Sequence, residues 1–183
     1  MKLETERLVL RPLEESDEAD LYPIFNDPEV TQNLLIRHPY PRERMLPWIR
    51  ERIVAYRHRE RYVFAMVLRH SSEVAGICGL VAVNWEHMNA ELVYWLGRPH
   101  WNKGYVTEAA RRMIRFGFED LGFERISVGC FARNSASARV IEKLGFQPEG
   151  CARHEFLKDG EYLDALHFGM ISGDYLKTGP ERS

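Results

Sequence analysis

Three apolar runs follow one another in the middle of the chain, Tyr62 to Leu68, Glu73 to Val83 and Asn89 to Leu96, with only the polar turns Arg69-His70-Ser71-Ser72 and Asn84-Trp85-Glu86-His87 between them. Their β-branched and aromatic content reads as strand. Connections this short join antiparallel neighbours, because a parallel return needs a crossover of a dozen or more residues. An antiparallel meander is thereby set at the centre of the fold. The next segment changes period: Val106, Ala110, Met113, Ile114, Gly117 and Leu121 make one stripe of a helix from about Gly104 to Leu121. Ile126 to Phe131 is again a strand. That strand, helix and strand form one crossover inside an otherwise antiparallel sheet.

The other elements arrange themselves around this centre. Leu8, Leu10 and Pro12 alternate with Arg7, Val9 and Arg11 as a first strand half covered on one face. Ser16 reads as the N-cap of a helix that Asn26-Asp27-Pro28 ends. From Arg42 to Arg59, Met45, Leu46, Ile49, Ile53 and Tyr56 recur at helical spacing among arginines. The basic outer face of this helix is either solvated or in contact with an acidic group. Asn134 caps a further helix that stops at Gly145, and strands follow over Gln147–Arg153 and Tyr162–Ile171. The fold class is α+β: a mixed, mostly antiparallel, twisted sheet with helices on both faces and a central βαβ crossover. One domain over residues 1–176 is expected, with a frayed polar tail over 177–183 that contains Gly179 and Pro180.

Composition narrows the function classes. The 183 residues suffice to bury roughly 70% of the unfolded surface. Lys plus Arg total 25 against 27 Asp plus Glu, with 28% charged and 45% hydrophobic residues, which argues against disorder and against a strongly basic nucleic-acid binder. The longest nearly uncharged apolar stretch, Val74 to Val83, is half of what spans a bilayer, and the charged N-terminus has no apolar signal region. A cytoplasmic protein with no membrane and no nucleic-acid partner is the expectation. Cys78, Cys130 and Cys151 lie far apart without CxxC spacing, so neither a disulfide framework nor a metal site is expected, and buried spectator thiols are.

The segment that carries chemistry runs from Glu91 to Ala110, where a strand ends in the turn Gly97-Arg98-Pro99-His100-Trp101-Asn102-Lys103-Gly104 and the turn opens a helix. N–H groups at a helix start have no partner inside the helix and sit at the positive end of its dipole. Gly104 allows close approach and Lys103 adds charge, so the turn suits an anion such as a phosphate. An ordinary glycine turn is the competing reading. Neither GxGxxG nor a Gly-Lys-Ser/Thr ending is present.

The run Trp101-Asn102-Lys103-Gly104-Tyr105-Val106-Thr107-Glu108-Ala109 resembles the acetyl-CoA loop of the GCN5-related N-acetyltransferases (GNAT), in particular of the RimJ/RimL-like branch that acetylates ribosomal-protein N-termini. Val106 stands where the family pattern has a small residue. The resemblance extends in order through Thr5-Glu6-Arg7-Leu8, Asp27-Pro28-Glu29-Val30, Gly76 to Gly79, Asn134-Ser135-Ala136-Ser137, Glu142-Lys143-Leu144-Gly145-Phe146, Glu149-Gly150, and Tyr162 with Asp164. It implies the acyl-CoA N-acyltransferase fold, in which the fourth and fifth strands, here Asn89–Leu96 and Ile126–Phe131, splay apart to admit the pantetheine arm. Main-chain groups at Trp95 and Leu96 would pair with that arm, amides of Asn102, Lys103, Gly104, Tyr105, Val106 and Thr107 would hold the pyrophosphate, and Asn134 would meet the pantetheine. Acetyl-CoA as cosubstrate, an amine acceptor and a homodimer belong to the same implication. No coiled-coil seam supports the dimer independently.

Acetyl transfer from a thioester needs a neutral amine and a proton for the departing thiolate. A lysine-like or polyamine nitrogen, at pKa ~10.4, loses about 4.6 kcal/mol to protonation at pH 7, whereas a peptide α-amine at ~7.7–8 loses about 1–1.4 kcal/mol. A weak or water-relayed base suffices for the second. The resemblance places the acid at Ser137, which otherwise caps its helix with Asn134. It places the base loosely at Glu155, with Glu91 as second candidate; each is otherwise a surface carboxylate. Glu108 suits its own helix N-terminus. His154 could shuttle a proton, Tyr94 and Trp95 read as strand core or substrate wall, and Trp85 and His87 sit in a loop on the expected acceptor side. The function expected is acetyl-CoA-dependent transfer to a primary amine in a ternary complex, the acceptor being a protein N-terminus. A polyamine or aminoglycoside acetyltransferase and a catalytically silent acyl-CoA-binding module are the alternatives.

Overall fold

The structure, a computed structural model, describes residues 1–178. In chain order the elements are β1 (Leu3–Glu4), β2 (Leu8–Pro12), α1 (Glu18–Phe25), α2 (Pro28–Thr31), α3 (Met45–Arg57), β3 (Tyr62–Leu68), β4 (Val74–Asn84), β5 (Asn89–Leu96), α4 (Tyr105–Arg115), β6 (Arg125–Phe131), α5 (Ser135–Lys143), β7 (Gln147–Lys158), β8 (Glu161–Ile171) and α6 (Ser172–Thr178). One sheet holds all the strands in the order β1-β2-β3-β4-β5-β6-β8-β7. Every pairing is antiparallel except β5 with β6. This is the mixed α+β architecture that the meander and its single crossover require.

Alternation along β3 builds the core on two faces. Tyr62, Phe64, Met66 and Leu68 join Leu80, Leu92, Met113, Phe116, Ile126 and Ile141 under α4 and α5. Val63 and Ala65 turn the other way and meet Leu21, Phe25, Met45, Ile49 and Ile77 under α1 and α3. Successive β3 residues therefore face the helices on one side of the sheet and then the other, as period-2 geometry dictates.

The feature that positions the site is a pairing that stops. β5 and β6 are in register only at Asn89↔Arg125, Ala90↔Ile126 and Glu91↔Ser127. Beyond Glu91, β5 stays bonded to β4 as far as Gly76↔Leu96, while β6 stays bonded to β8 as far as Phe131↔Ala165. The two halves of the sheet diverge from that point and leave a wedge between them.

Several expected boundaries shift. Ser16 is not a helix cap: residues Glu15–Asp17 form a 3₁₀ turn and α1 starts at Glu18. The buried Asp17 carboxylate takes the organising role there, receiving Arg11 Nη1 and Nη2 at 2.9 and 2.6 Å and the Glu14 N–H at 2.8 Å. α4 gives way to a π-helical turn over Phe116–Asp120 rather than continuing regularly to Leu121. β7 runs past Arg153 to Lys158 because breaks in register between Pro148 and Gly150 and between Ala152 and Phe156 hide its period. Lys177 and Thr178 end a helix instead of belonging to a frayed tail, and α6 docks through Tyr175, stacked on Phe118 with ring centroids 5.0 Å apart. Residues 179–183 of that expected tail lie outside the described residues.

Gly76 on β4 allows β5 to lie close. A β-carbon there would collide with the Trp95 carbonyl oxygen and come within 2.9 Å of Leu96 Cα. Backbone cannot yield as a flexible side chain can, so Gly76→Ala is expected to cost about 1–3 kcal/mol or more of overpacking. Thermal unfolding checks this, at about 2–4 °C in Tm for each kcal/mol. Gly173→Ala, with nothing within 4 Å of the added carbon, serves as the neutral comparison.

Candidate active site

The turn after β5 is built to leave amides free. Asn102 and Gly104 adopt left-handed φ of 59° and 80°, which swings the chain into α4 with Gly104 as N-cap. The first helical bond is Glu108 N–H to Gly104 O at 3.0 Å. Among the described residues, none of the N–H groups of Asn102, Lys103, Gly104, Tyr105, Val106 and Thr107 finds an acceptor within the chain. Trp101 fixes the entry to the turn by donating Nε1–H to Leu96 O at 2.8 Å. A row of unmatched donors at a helix start is an anion site.

The N-terminal strand pair clasps this turn from outside. Glu108 accepts Thr5 Oγ1 at 2.6 Å, Arg7 N at 2.8 Å and Arg7 Nε at 2.7 Å. Burial works to raise the Glu108 carboxyl, but these hydrogen bonds outweigh it and hold the group below its ordinary value, an anchor rather than a base. Arg7 also donates to Lys103 O at 2.8 Å and lies 4.7 Å from the centroid of the Tyr105 ring.

A cleft of about 1190 Å³ leads from this turn through the wedge between β5 and β6. Gly97 N–H bonds to Ala75 O at 2.8 Å, so alternation turns the Trp95 main chain toward β4 and the Tyr94 and Leu96 main chains toward the wedge. Across from them stands the first turn of α5. Asn134 Oδ1 accepts the Ser137 N–H at 3.1 Å, and the Ser137 hydroxyl meets the Tyr94 hydroxyl at 2.9 Å. Burial pushes the Tyr94 phenol well above its usual range, so it stays protonated and holds Ser137 across the wedge.

On the face under α1 and α3 the wedge opens to a group of carboxylates with one imidazole. Glu91 sits where the β5–β6 pairing ends, and burial raises its carboxyl, with His167 opposing and Glu155 reinforcing the shift. His167 on β8 and Glu155 on β7 meet at 2.7 Å between Nε2 and Oε2. Glu91 and His167 line the cleft; Glu155 does not.

The profile of the acetyltransferase (GNAT) domain matches residues 7–147. The chain belongs to this family. An uncharacterized N-acetyltransferase, p20, from Bacillus licheniformis is 32% identical over 177 residues, covering 94% of this chain and 97% of that one. The spermidine N(1)-acetyltransferase of Escherichia coli K12 is 27% identical over 167 residues, 91% of this chain and 87% of that one. In shape, a ribosomal-protein-S5-alanine acetyltransferase from Vibrio fischeri superposes with a TM-score of 0.85 at 20% identity, over 96% of this chain and 98% of that one. The protein is an N-acetyltransferase, and GNAT enzymes use acetyl-CoA. The free amides fit its pyrophosphate, and Arg139 and Lys143, four apart on α5, line the same cleft and fit its phosphates.

Against this GNAT frame, the sequence-derived site divides. Asn102, Gly104, Tyr105, Val106, Thr107, Leu96, Asn134, Ser137 and Glu91 line the cleft. Lys103 does not: its carbonyl is held by Arg7 and its side chain is exposed, so its amide is what the turn offers. Trp95 lines the cleft too, but through its indole, which packs at 4.7 Å on Phe25; its main chain is consumed by β4. Trp85 donates Nε1–H to Arg59 O and, like His87, lies away from the cleft; His154 stacks on Tyr162. Only Cys78 is a buried thiol, pushed up to about 12 by burial, whereas Cys130 is half-buried in the cleft lining and Cys151 is exposed. His167, Arg139 and Lys143 escaped the sequence reading of the site, and Tyr94 entered it only as strand core or substrate wall; for Arg139 and Lys143, the four-residue spacing on one helix face was the available signal.

Gly104→Glu puts a strained φ, bulk and negative charge at the row of amides, where even a β-carbon would stand 3.3 Å from Arg7 Nη2. It is expected to weaken acetyl-CoA binding at least about 100-fold by calorimetry, while Gly104→Asn, which tolerates left-handed φ, retains most of it. Equal affinities for Gly104→Glu and the parent would reject the anion site.

Proposed function

We propose that the enzyme acetylates the α-amine of a protein N-terminus by direct transfer from acetyl-CoA in a ternary complex. The observation that carries this reading is the cleft itself. Its anion-binding turn and its carboxylate–imidazole group lie on opposite sides of one opening in the sheet, so a thioester threaded from the first can meet an amine entering from the second.

The walls on the amine side favour a single positive charge over a polycation. Trp48, Ile36, Val63 and Ile77 give an apolar surface there. Its cations are Arg52, which lies 3.8 Å from the Trp48 ring centroid, and Arg61, both paired with Glu51; its carboxylates are Glu60 and Glu91. A polyamine held along such a channel would meet arginines where it needs carboxylates. A peptide α-amine brings one charge, and its neutral backbone suits the apolar wall. Its modest deprotonation cost also matches a site whose acidic groups are partly open to water.

In the transfer, unpaired main-chain donors of β5 at Tyr94 and Leu96 face the position of the thioester oxygen and suit a developing oxyanion. Ser137, held by Tyr94 and Asn134, protonates the leaving sulfur in this reading. The amine proton leaves toward Glu91, His167 and Glu155.

Two measurements test this. Incubated with acetyl-CoA and a panel of peptides, spermidine and aminoglycosides, the enzyme is expected to show its highest kcat/KM with a peptide bearing a free N-terminus and to lose activity when that terminus is blocked. A preference for spermidine would transfer the assignment to polyamines, and absence of turnover with every amine would leave an acyl-CoA-binding module. Ser137→Ala is expected to lower kcat about 10- to 100-fold with acetyl-CoA affinity within about twofold of the parent; retained kcat reduces Ser137 to a helix residue.

A further inference from the structure

Three groups surround the place where the amine must lose its proton, and their geometry is unequal. Glu155 stands behind His167 and does not reach the cleft. A carboxylate accepts hydrogen bonds and donates none, so the 2.7 Å contact to Glu155 Oε2 puts a proton on His167 Nε2. In the neutral ring the lone pair is then on Nδ1. Nδ1 lies over Gly129 of β6: a β-carbon at Gly129 would stand 3.8 Å from it. Among the described residues Nδ1 makes no hydrogen bond. Gly129 has no left-handed φ that would demand glycine. What its missing side chain supplies is an open path from Nδ1 to the cleft.

A bulge in β7 makes the contact to Glu155. From the turn, β7 and β8 pair as Lys158↔Glu161, Leu157↔Tyr162 and Phe156↔Leu163, but beyond the break the register resumes at Ala152↔Ala165 and Gly150↔His167. Continued without the break, the first register would set Glu155 against Asp164. The bulge, with His154 at φ 54° and its N–H on Asp164 Oδ1 at 2.8 Å, re-aims Glu155 toward His167.

We infer that His167 takes the proton of the attacking amine through Nδ1 and that Glu155 is its positioning residue. This inference rests on the reading of the cleft as an acetyl-transfer site. The neutral amine nitrogen bonds to the carbonyl carbon as the C–S bond breaks. The proton that nitrogen sheds passes to Nδ1, the thiolate leaves with the proton of the Ser137 hydroxyl, and solvent carries a proton from the imidazolium back to Ser137, so none is gained or lost. Glu155 stabilises the imidazolium that forms. The other charged groups around His167 are Glu91 from β5 and, over Gly169 between β6 and β7, the paired Arg125 and Glu149.

The tautomer is tested first and needs no acceptor. In ¹⁵N-resolved NMR of the full chain near pH 8, His167 is expected to carry its proton on Nε2 with Nδ1 bare; a proton on Nδ1 overturns the inference. Kinetics follow, with whichever amine the enzyme turns over. His167→Gln is expected to lower kcat about 100-fold with acetyl-CoA affinity unchanged, and to remove the acid limb of the kcat–pH profile. Glu155→Gln keeps an oxygen acceptor for Nε2–H and is expected to keep the Nε2–H tautomer by NMR with a smaller loss of kcat, whereas Glu155→Leu loses both the acceptor and the tautomer preference; a tautomer unchanged in Glu155→Leu removes Glu155 as the positioning residue. If His167→Gln retains kcat, or retains the acid limb, the receiver is Glu91 and the inference fails. If the peptides are inert but another amine reacts with these signatures, the acceptor assignment falls while His167 stands.

Discussion

The parallel pairing between β5 and β6 ends at Glu91 and Ser127, and the catalytic architecture depends on that ending. A ladder continued to Leu96 would satisfy every main-chain donor on β5 and close the sheet. Stopping it leaves the Tyr94 and Leu96 main chains facing a wedge, and a cosubstrate can complete the pairing that the protein omits. The cost of unpaired strand groups is limited because each flanking half of the sheet stays bonded to its own neighbour alongside the wedge, β5 to β4 and β6 to β8. Tyr94 then bridges the opening at its side-chain level, where its hydroxyl meets Ser137. The same residue thus turns its backbone to the wedge and its phenol to the serine proposed above as the acid.

How much of this the sequence discloses follows from how local the cause is. β3 and β5 begin and end where their apolar runs do, because period and turn residues are short-range signals. The row of free amides is legible for the same reason: Gly104 and the helix after it lie within one turn of chain. β7 is not, since two breaks in register erase the alternation that marks a strand. α6 leaves little trace because its anchoring contact is Tyr175 on Phe118, made far away in sequence.

The site shows the same division. Ser137 and Asn134 are visible as a cap and as a resemblance, and the geometry is compatible with both, since Asn134 Oδ1 holds the Ser137 amide while both residues line the cleft. His167 was not visible, because its meaning comes from Glu155 across a hairpin whose register only the bulge sets. Lys103 shows the converse limit: a lysine beside a phosphate turn invites a charge argument, yet its side chain is exposed and its carbonyl is held by Arg7. Local sequence reports residue types, whereas the partner of each charge is a tertiary fact.

The clasp of Thr5 and Arg7 on Glu108 joins residues 103 and 101 positions apart. Chain closure over that distance comes late in folding, and on a ribosome the first strands must wait until α4 has been synthesised before they have anything to grip. The turn is therefore finished by a part of the chain synthesised well before it. A chain of this build finishes the turn only once α4 exists, and a truncated product that lacks α4 lacks the clasp on Glu108 as well as the helix start that leaves the amides free.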